Sequence, residues 1–369
     1  MQTDDDTSTI VKQINTYDSS FVTLGDGAVG KTDLWKKFLD PNYDPRTLQY
    51  SGSTHMKGVV LKNKKFSGGV MYQCDTMGQR EFLLGDDFPA VAVGINALLL
   101  VARITDTANG TKIDFKTVYS PKKGEGLNHD FIPLILKYTR QVPVVIAVTH
   151  LDKIDPHYYP ELRPSSRDAQ YERQIQANET FRAALGKLFE DFPQLKSYQK
   201  KGLLKVRVCS NVTGYNVITD DGIFTTLSGM MEKSNEDYKA VFKFKKGAKK
   251  SEFLENVHEL YRYWRNDDEG TKVTLKACEG KDPMTQYGIM FRSLFRFKES
   301  FYAAEAFAKA MISVIEAYSQ AVSAEARPGL EAFAKAIKGS LKAEQDKNTN
   351  KEKAEAAERF LKDLQARTM

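Results

Sequence analysis

The sequence predicts an α/β domain with a mostly parallel central sheet and insertions, followed by an all-α C-terminal region. Three observations carry this reading. Between residues 20 and 235 short apolar runs alternate with helical patterns. A glycine-rich turn, "LGDGAVGKTD", joins the first apolar run to the first helical one. After about residue 235 strand patterns vanish, and Ala, Glu, Lys and Phe at helical spacing take over. The expected divisions are an N-terminal tail over 1–17, an α/β domain over 18–235 and a helical domain over 236–369.

Taken in order, "SFVTLG" (20–25) reads as a buried strand and "TDLWKKFL" (32–39) as the helix after it. "MKGVVL" and "GVMYQC" read as neighbouring strands joined by the polar turn "KNKK". "INALLLVARI" (95–104) and "VPVVIAVT" (142–149) are near-continuous apolar runs, as expected of strands covered on both faces. "LLKVRVCS" (203–210) is the last strand. Residues 106–129, rich in Gly, Lys and turn residues, read as one insertion, and 153–200, with a helix around 168–190, as a second. "EAFAKA" occurs at 305–310 and 331–336 with Pro328 and Gly329 between, which suggests an antiparallel helix pair.

The chain has 369 residues, room for two domains of ~100–200 residues. It is 41% hydrophobic and 28% charged, ordinary for a chain that buries a core. A net charge of +6 over this length is too mild to imply nucleic acid, and no nucleic-acid partner is expected. Cys74, Cys209 and Cys278 have no metal-ligand spacing and suggest a reducing compartment. No apolar leader opens the sequence, no run reaches about 18 uncharged apolar residues, and no lipidation signal is evident, so a cytoplasmic location is expected. The segment "DYKAVFKFKKGAKKSEF" carries six lysines between 239 and 250 with aromatics among them; it reads either as a solvated linker or as a contact for an acidic surface such as an anionic membrane or protein partner.

The strongest local signal is G-x-x-x-x-G-K-[ST] from Gly25 to Thr32, directly after a strand and directly before a helix. In a loop of this kind the backbone of Gly25, Asp26, Gly27, Ala28, Val29 and Gly30 curls so that successive N–H groups face phosphate oxygens. The helix start at Lys31, Thr32 and Asp33 adds partial positive charge. Lys31 supplies a cation for the β and γ phosphates, and the Thr32 hydroxyl can bind Mg²⁺. The loop says nucleotide triphosphate without naming the base.

Further along come a threonine-bearing segment, "DTMGQ" (75–79), "THLD" (149–152) and "CSNVTG" (209–214). Asp75, Thr76 and Gly78 are ordinary turn residues when read alone. In this order, each at the carboxyl end of an apolar strand, the motifs together resemble the Ras superfamily of small GTPases, with the Rab and Rho branches nearest. The resemblance covers roughly residues 18–235. It implies GTP and GDP as ligands with Mg²⁺, slow hydrolysis of GTP without an activating partner, and regulatory or effector proteins on two switch loops. It assigns Asp75, through water, and Thr32 to the magnesium, the Gly78 N–H to the γ-phosphate, and Gln79 to orienting the attacking water. Such chemistry is positioning plus charge stabilisation, for which Ras itself is the standard worked example. Gly27 keeps the loop small where a side chain would meet the glutamine or an incoming arginine.

The same resemblance gives Asp152 the hydrogen bonds from guanine N1 and N2, a donor pair that adenine lacks. Ser210 and the Asn211 N–H would face the base. Threonine at 149 is a variant of the Rho branch. His150 and Val212 stand where lysines are usual; the His150 ring could stack on the base instead, and guanine specificity is expected to survive with reduced affinity. The switch I threonine is Thr54, by its distance to Asp75, or Thr47, by its local "YDPRT" context, with Thr54 preferred. Tyr43 is either the aromatic that flanks guanine or a surface-loop residue. Met77 adds a flexible thioether where the family has a small alanine.

Three functions are weighed: a hydrolysing switch, a nucleotide-locked scaffold, and a phosphate-loop ATPase or kinase, which "THLD" and the Ser-led loop disfavour. The helical extension resembles those of eukaryote-like effectors that intracellular bacteria deliver into host cells. On that reading the location is the host cytosol or a host membrane surface, the setting host vesicle traffic. The final "KEKAEAAERFLKDLQARTM" suits a secretion signal of that type and an ordinary terminal helix equally.

Overall fold

The computed structural model describes residues 18–25, 29–47, 59–66, 69–76, 87–107, 110–114, 131–153 and 192–368, with parts of 179–190. The chain divides into two compact units, Met1–Asp237 with Arg265–Asp268, and Tyr238–Trp264 with Glu269–Met369.

The first unit is built on a mostly parallel seven-stranded sheet. Its strands are β1 (Ser20–Leu24), β2 (Val59–Phe66), β3 (Gly69–Thr76), β4 (Ala97–Thr107), β5 (Gly110–Asp114), β6 (Val144–Thr149) and β7 (Leu204–Val208). The order is β2-β3-β1-β4-β6-β7, and β5 pairs with β4. β1 runs parallel to both neighbours, with Thr23 opposite Asp75 of β3 and opposite Leu99 of β4. The pairs β4–β6 and β6–β7 are also parallel, while β2 and β5 run antiparallel to their partners.

Alternate residues of the buried strands feed two cores, one on each face of the sheet. Val22, Leu24, Leu98, Leu100, Val144 and Ile146 pack with Phe88 and Val91 of α2 (Asp87–Gly94) and Ile135 of α3 (Phe131–Tyr138). Leu195 and Tyr198 of α4 (Pro193–Lys200) close the same core. On the other face Phe21, Leu99, Val101 and Ala147 pack with Trp35 of α1 (Lys31–Leu39) and Phe224 and Leu227 of α5 (Ile223–Ala240). Two covered faces explain the near-continuous apolar runs of β4 and β6 and the full burial of β1 and β6, Ser20 and Thr23 included.

The expected turn at "KNKK" is corrected: these residues lie inside β2, paired through Phe66 opposite Gly69. β2 is an edge strand, where lysines are compatible with pairing and discourage edge-to-edge association. Lys64 also reaches the Phe38 ring, with its Nζ 4.2 Å from the centroid. The first stretch read as an insertion opens with a strand, since β5 folds back on β4 with Thr107 opposite Gly110. Residues 115–130 lie outside the described residues, as does most of 154–191.

The second unit is helical. It contains most of α6 (Lys250–Arg265) and α7 (Asp268–Cys278), then α8 (Pro283–Lys298), α9 (Phe301–Ala321) and α10 (Arg327–Thr368). The expected antiparallel pair is α9 with α10: Lys338 bonds Glu316 and Gln345 bonds Glu305. Pro328 sits in the first turn of α10, where a missing N–H costs nothing. Among the described residues no helix is long and apolar enough to cross a membrane.

Candidate functional site

From β1 the chain reaches β3 on one side and β4 on the other, so the carboxyl end of β1 is a topological switch point, where open α/β sheets bind ligands. The glycine-rich loop lies there. A Cβ on Gly25 would sit 2.6 Å from the Val101 carbonyl oxygen, which only glycine avoids. Gly30 caps the start of α1 in the left-handed region, with φ +87°, and a Cβ there would lie 2.7 Å from Nδ2 of Asn211. Gly30, at the N-cap, has no side chain to cap the first turn of α1, which holds Lys31, Thr32 and Asp33. Lys31 Nζ donates to the Gly25 carbonyl at 2.7 Å, folding the cation back over the loop. Asp26, Gly27 and Ala28 lie outside the described residues.

Thr149, the last residue of β6, is fully buried. Its Oγ1 lies 2.7 Å from the Val29 carbonyl oxygen, 3.1 Å from that of Ala102, and 2.8 Å from Nδ1 of His150. A hydroxyl has one proton, and both carbonyls can only accept. The proton can serve only one of the three neighbours; given to the nearer carbonyl, that of Val29, it leaves His150 Nδ1 to donate to the hydroxyl. His150 has φ +66°, a conformation rare outside glycine and one that turns the chain sharply at the end of the strand. Leu151 N–H then bonds the Cys209 carbonyl at 3.0 Å, which carries the β6–β7 pairing past the strand ends and into the short helical turn Leu151–Lys153.

Within that turn Asp152 is 4% exposed. Ser210 Oγ donates to its Oδ1 at 2.7 Å and accepts from the Val212 and Thr213 N–H groups, each at 3.2 Å. The serine thus has its single proton and both lone pairs in use, so the carboxylate is held in one orientation. Burial, and secondarily the Asp152 charge, push the neighbouring Cys209 thiol well above its ordinary range.

The side chain of Asn211 reaches across to the glycine-rich loop. Its Nδ2 donates to the Gly30 carbonyl at 3.1 Å. Its Oδ1 is buried without a hydrogen-bond partner among the described residues, a state that costs about 1–3 kcal/mol. The loops after β6 and β7 therefore hold two successive carbonyls of the glycine-rich loop, Val29 through Thr149 and Gly30 through Asn211. This amide role is absent from the sequence reading, which assigned Asn211 only by its backbone N–H.

Asp75 is the last but one residue of β3, beside Thr23. Behind it, on the same strand, the buried Gln73 donates from Nε2 to Thr23 Oγ1 at 2.8 Å. Tyr43 O–H donates to Asp33 at 2.6 Å, and Lys37 Nζ donates to the Tyr43 carbonyl at 2.7 Å, tying this tyrosine back to α1. Burial first, then the hydrogen bond to Asp33, raises the Tyr43 phenol above its ordinary value. Thr47 donates its hydroxyl to the Asp44 carbonyl at 2.8 Å. Thr54, Met77, Gly78 and Gln79 lie outside the described residues. Among the described residues no cluster of three or more histidine, cysteine, aspartate or glutamate side chains gathers as a metal site.

The site thus joins Lys31, Thr32, Thr149, His150, Asp152, Ser210 and Asn211 around the ends of β1, β6 and β7. No model of a known protein family matches the chain, and neither does the sequence of any curated protein.

Proposed function

We propose that the chain is a guanine-nucleotide-binding molecular switch of the Ras-like kind, which binds GTP and GDP with magnesium and hydrolyses GTP to GDP and phosphate. The observation that carries this is the buried Asp152, oriented by Ser210, on loops that also hold the glycine-rich turn through Thr149 and Asn211. A desolvated carboxylate fixed in one orientation favours a ligand that offers it two adjacent N–H donors, as N1 and N2 of guanine do. Adenine offers no such donor pair and would leave the carboxylate with Ser210 as its partner among the described residues, which is costly in a buried site.

The triphosphate would lie along the N–H groups of the glycine-rich turn and the uncapped start of α1, with the Lys31 ammonium against its outer phosphates. Thr32 and Asp75 are the residues that would hold magnesium, with Thr54 as a third. A hydroxyl and a carboxylate are the hard oxygen donors this ion accepts, and one carboxylate suffices because magnesium keeps several waters. Bound there, the ion neutralises charge on the β and γ phosphates. Gln79 orients the attacking water, and the Gly78 N–H holds the γ-phosphate. The helical unit then serves partner recruitment.

Calorimetry with GDP and ADP tests the base reading: GDP is expected to bind, and equal binding of ADP would overturn it. Phosphate release from GTP, compared with that of Gln79→Leu, tests the chemistry; equal rates would remove Gln79 from the mechanism.

A second reading, a hydrolysis-poor scaffold that keeps its nucleotide, is favoured by His150. Its ring nitrogen is committed to Thr149, where the family has a long flexible cation. Mass spectrometry of the nucleotide carried by the purified protein separates the two: GTP that survives prolonged incubation supports the scaffold.

A further inference from the structure

The stretch from Lys239 to Lys250 lies wholly in the helical unit, spans the end of α5, the connecting loop and the start of α6, and holds six lysines with no acidic residue. The whole chain carries 54 basic and 48 acidic side chains, a surplus of six, so these twelve residues account for all of its net charge. All six lysines are exposed. Lys243, Lys245, Lys246, Lys249 and Lys250 form no ion pair with a described residue.

The stretch is folded. Phe242 and Lys243 N–H groups bond back to Lys239 and Ala240, Ala248 N–H bonds Lys245, and Gly247 N–H bonds the Ala321 carbonyl at 2.6 Å. Gly247 takes φ +81°, which the turn requires and glycine supplies. The interleaved aromatics point into the unit. Phe244 packs at 5.2 Å from Tyr318 and 6.4 Å from Phe253, and Phe242 at 5.4 Å from Tyr238. The lysines are thereby presented together on a framed loop while the half-buried rings pack against neighbouring aromatics.

We propose that this loop is a docking surface for an anionic lipid membrane, which it meets by charge alone and without inserting side chains. Three features select this partner. Twelve consecutive residues carry six cations and no carboxylate. All six cations are lysines, compact hydrated charges suited to a fluid layer of headgroups; a site built to grip individual phosphates would favour the forked guanidinium of arginine. Phe242 and Phe244 are half-buried and already engaged with Tyr238, Tyr318 and Phe253, which disfavours them as a stacking platform for the bases of a single-stranded nucleic acid. The inference is independent of the nucleotide reading, because it uses no residue of that site.

The test is sedimentation of the full chain with phosphatidylcholine vesicles, with and without phosphatidylserine, at about 0.1 M and about 0.5 M salt. Binding is expected only with phosphatidylserine and at the lower salt. The variant K243Q/K245Q/K246Q/K249Q is expected to lose on the order of several hundredfold in vesicle affinity, at about fivefold per lysine. Glutamine in place of Lys272, Lys276, Lys335 and Lys342, four exposed lysines of other helices, should leave binding unchanged. Circular dichroism checks that both variants keep their helices. Binding to phosphatidylcholine alone, no binding at either salt, or equal losses in the two variants would overturn the proposal. So would tighter binding to a single-stranded oligonucleotide than to the anionic vesicles at equal total charge.

Discussion

The hydroxyl of Ser210 donates to the carboxylate of Asp152 across 58 positions of sequence, at 2.7 Å and out of contact with solvent. If Asp152 reads the base, Ser210 is its orienting partner. Asp152→Ala should weaken GDP by about 2 kcal/mol or more, roughly thirtyfold, and Ser210→Ala by about 1 kcal/mol, roughly fivefold. Neither should alter the weak binding of ADP. In the double variant the Ser210 effect should shrink, because its target is gone. Calorimetry on the four proteins measures this.

Gly30 and Asn211 should be coupled in stability. Gly30→Ala places a Cβ 2.7 Å from Asn211 Nδ2 at a backbone angle of +87°. The left-handed angle alone costs about 1–2 kcal/mol, and the contact adds to it. Asn211→Ala removes the contact but not the angle, so the double variant should recover part of the loss. Urea unfolding of both single variants and the double variant shows the coupling; strictly additive losses would contradict it.

With the Thr149 proton on the Val29 carbonyl, His150 should donate to the hydroxyl from Nδ1 in the folded protein. The Nδ1–H form is the less usual neutral tautomer in solution. Nitrogen-15 shifts of the ring identify it directly, and Thr149→Val should release the preference.

Stability should fall at alkaline pH in a way that one tyrosine reports. Tyr198 is buried, its hydroxyl donating to Asn266 Oδ1 at 2.6 Å, and burial raises its pKa above the ordinary value near 10. The folded state therefore favours the neutral phenol. Its contribution is complete below pH ~10 and is lost as pH rises further, because the unfolded chain ionises first. The unfolding midpoint should decline above pH ~10, and Tyr198→Phe should flatten the decline.

Much of this architecture is legible in the sequence because its physics is local. The sheet-interior runs at 95–102 and 142–148 are mostly apolar since both faces are covered. The turn between β1 and α1 needs glycine at Gly25 and Gly30 for reasons of space and backbone angle. "KNKK" misled because lysine marks a turn and an edge strand alike, and nothing in four residues tells an edge from a loop. Asn211 was half legible. Its place after Ser210 suggested a backbone role, but the carbonyl that its amide holds lies 181 positions away, and no periodicity spans that gap. The tautomer of His150 was invisible for a similar reason, being decided by the carbonyls around its neighbour.

The paired struts from Thr149 to Val29 and from Asn211 to Gly30 make one turn answerable to two others. Whatever steadies the turn from the anion side also steadies the loops behind it, and the reverse. If the proposed nucleotide site is real, linkage demands reciprocity: whatever factor a small anion such as pyrophosphate contributes to nucleoside affinity, the nucleoside contributes to anion affinity, and the struts predict that factor to be favourable. The two halves of a nucleotide, offered as separate molecules, would thus behave as cooperative ligands.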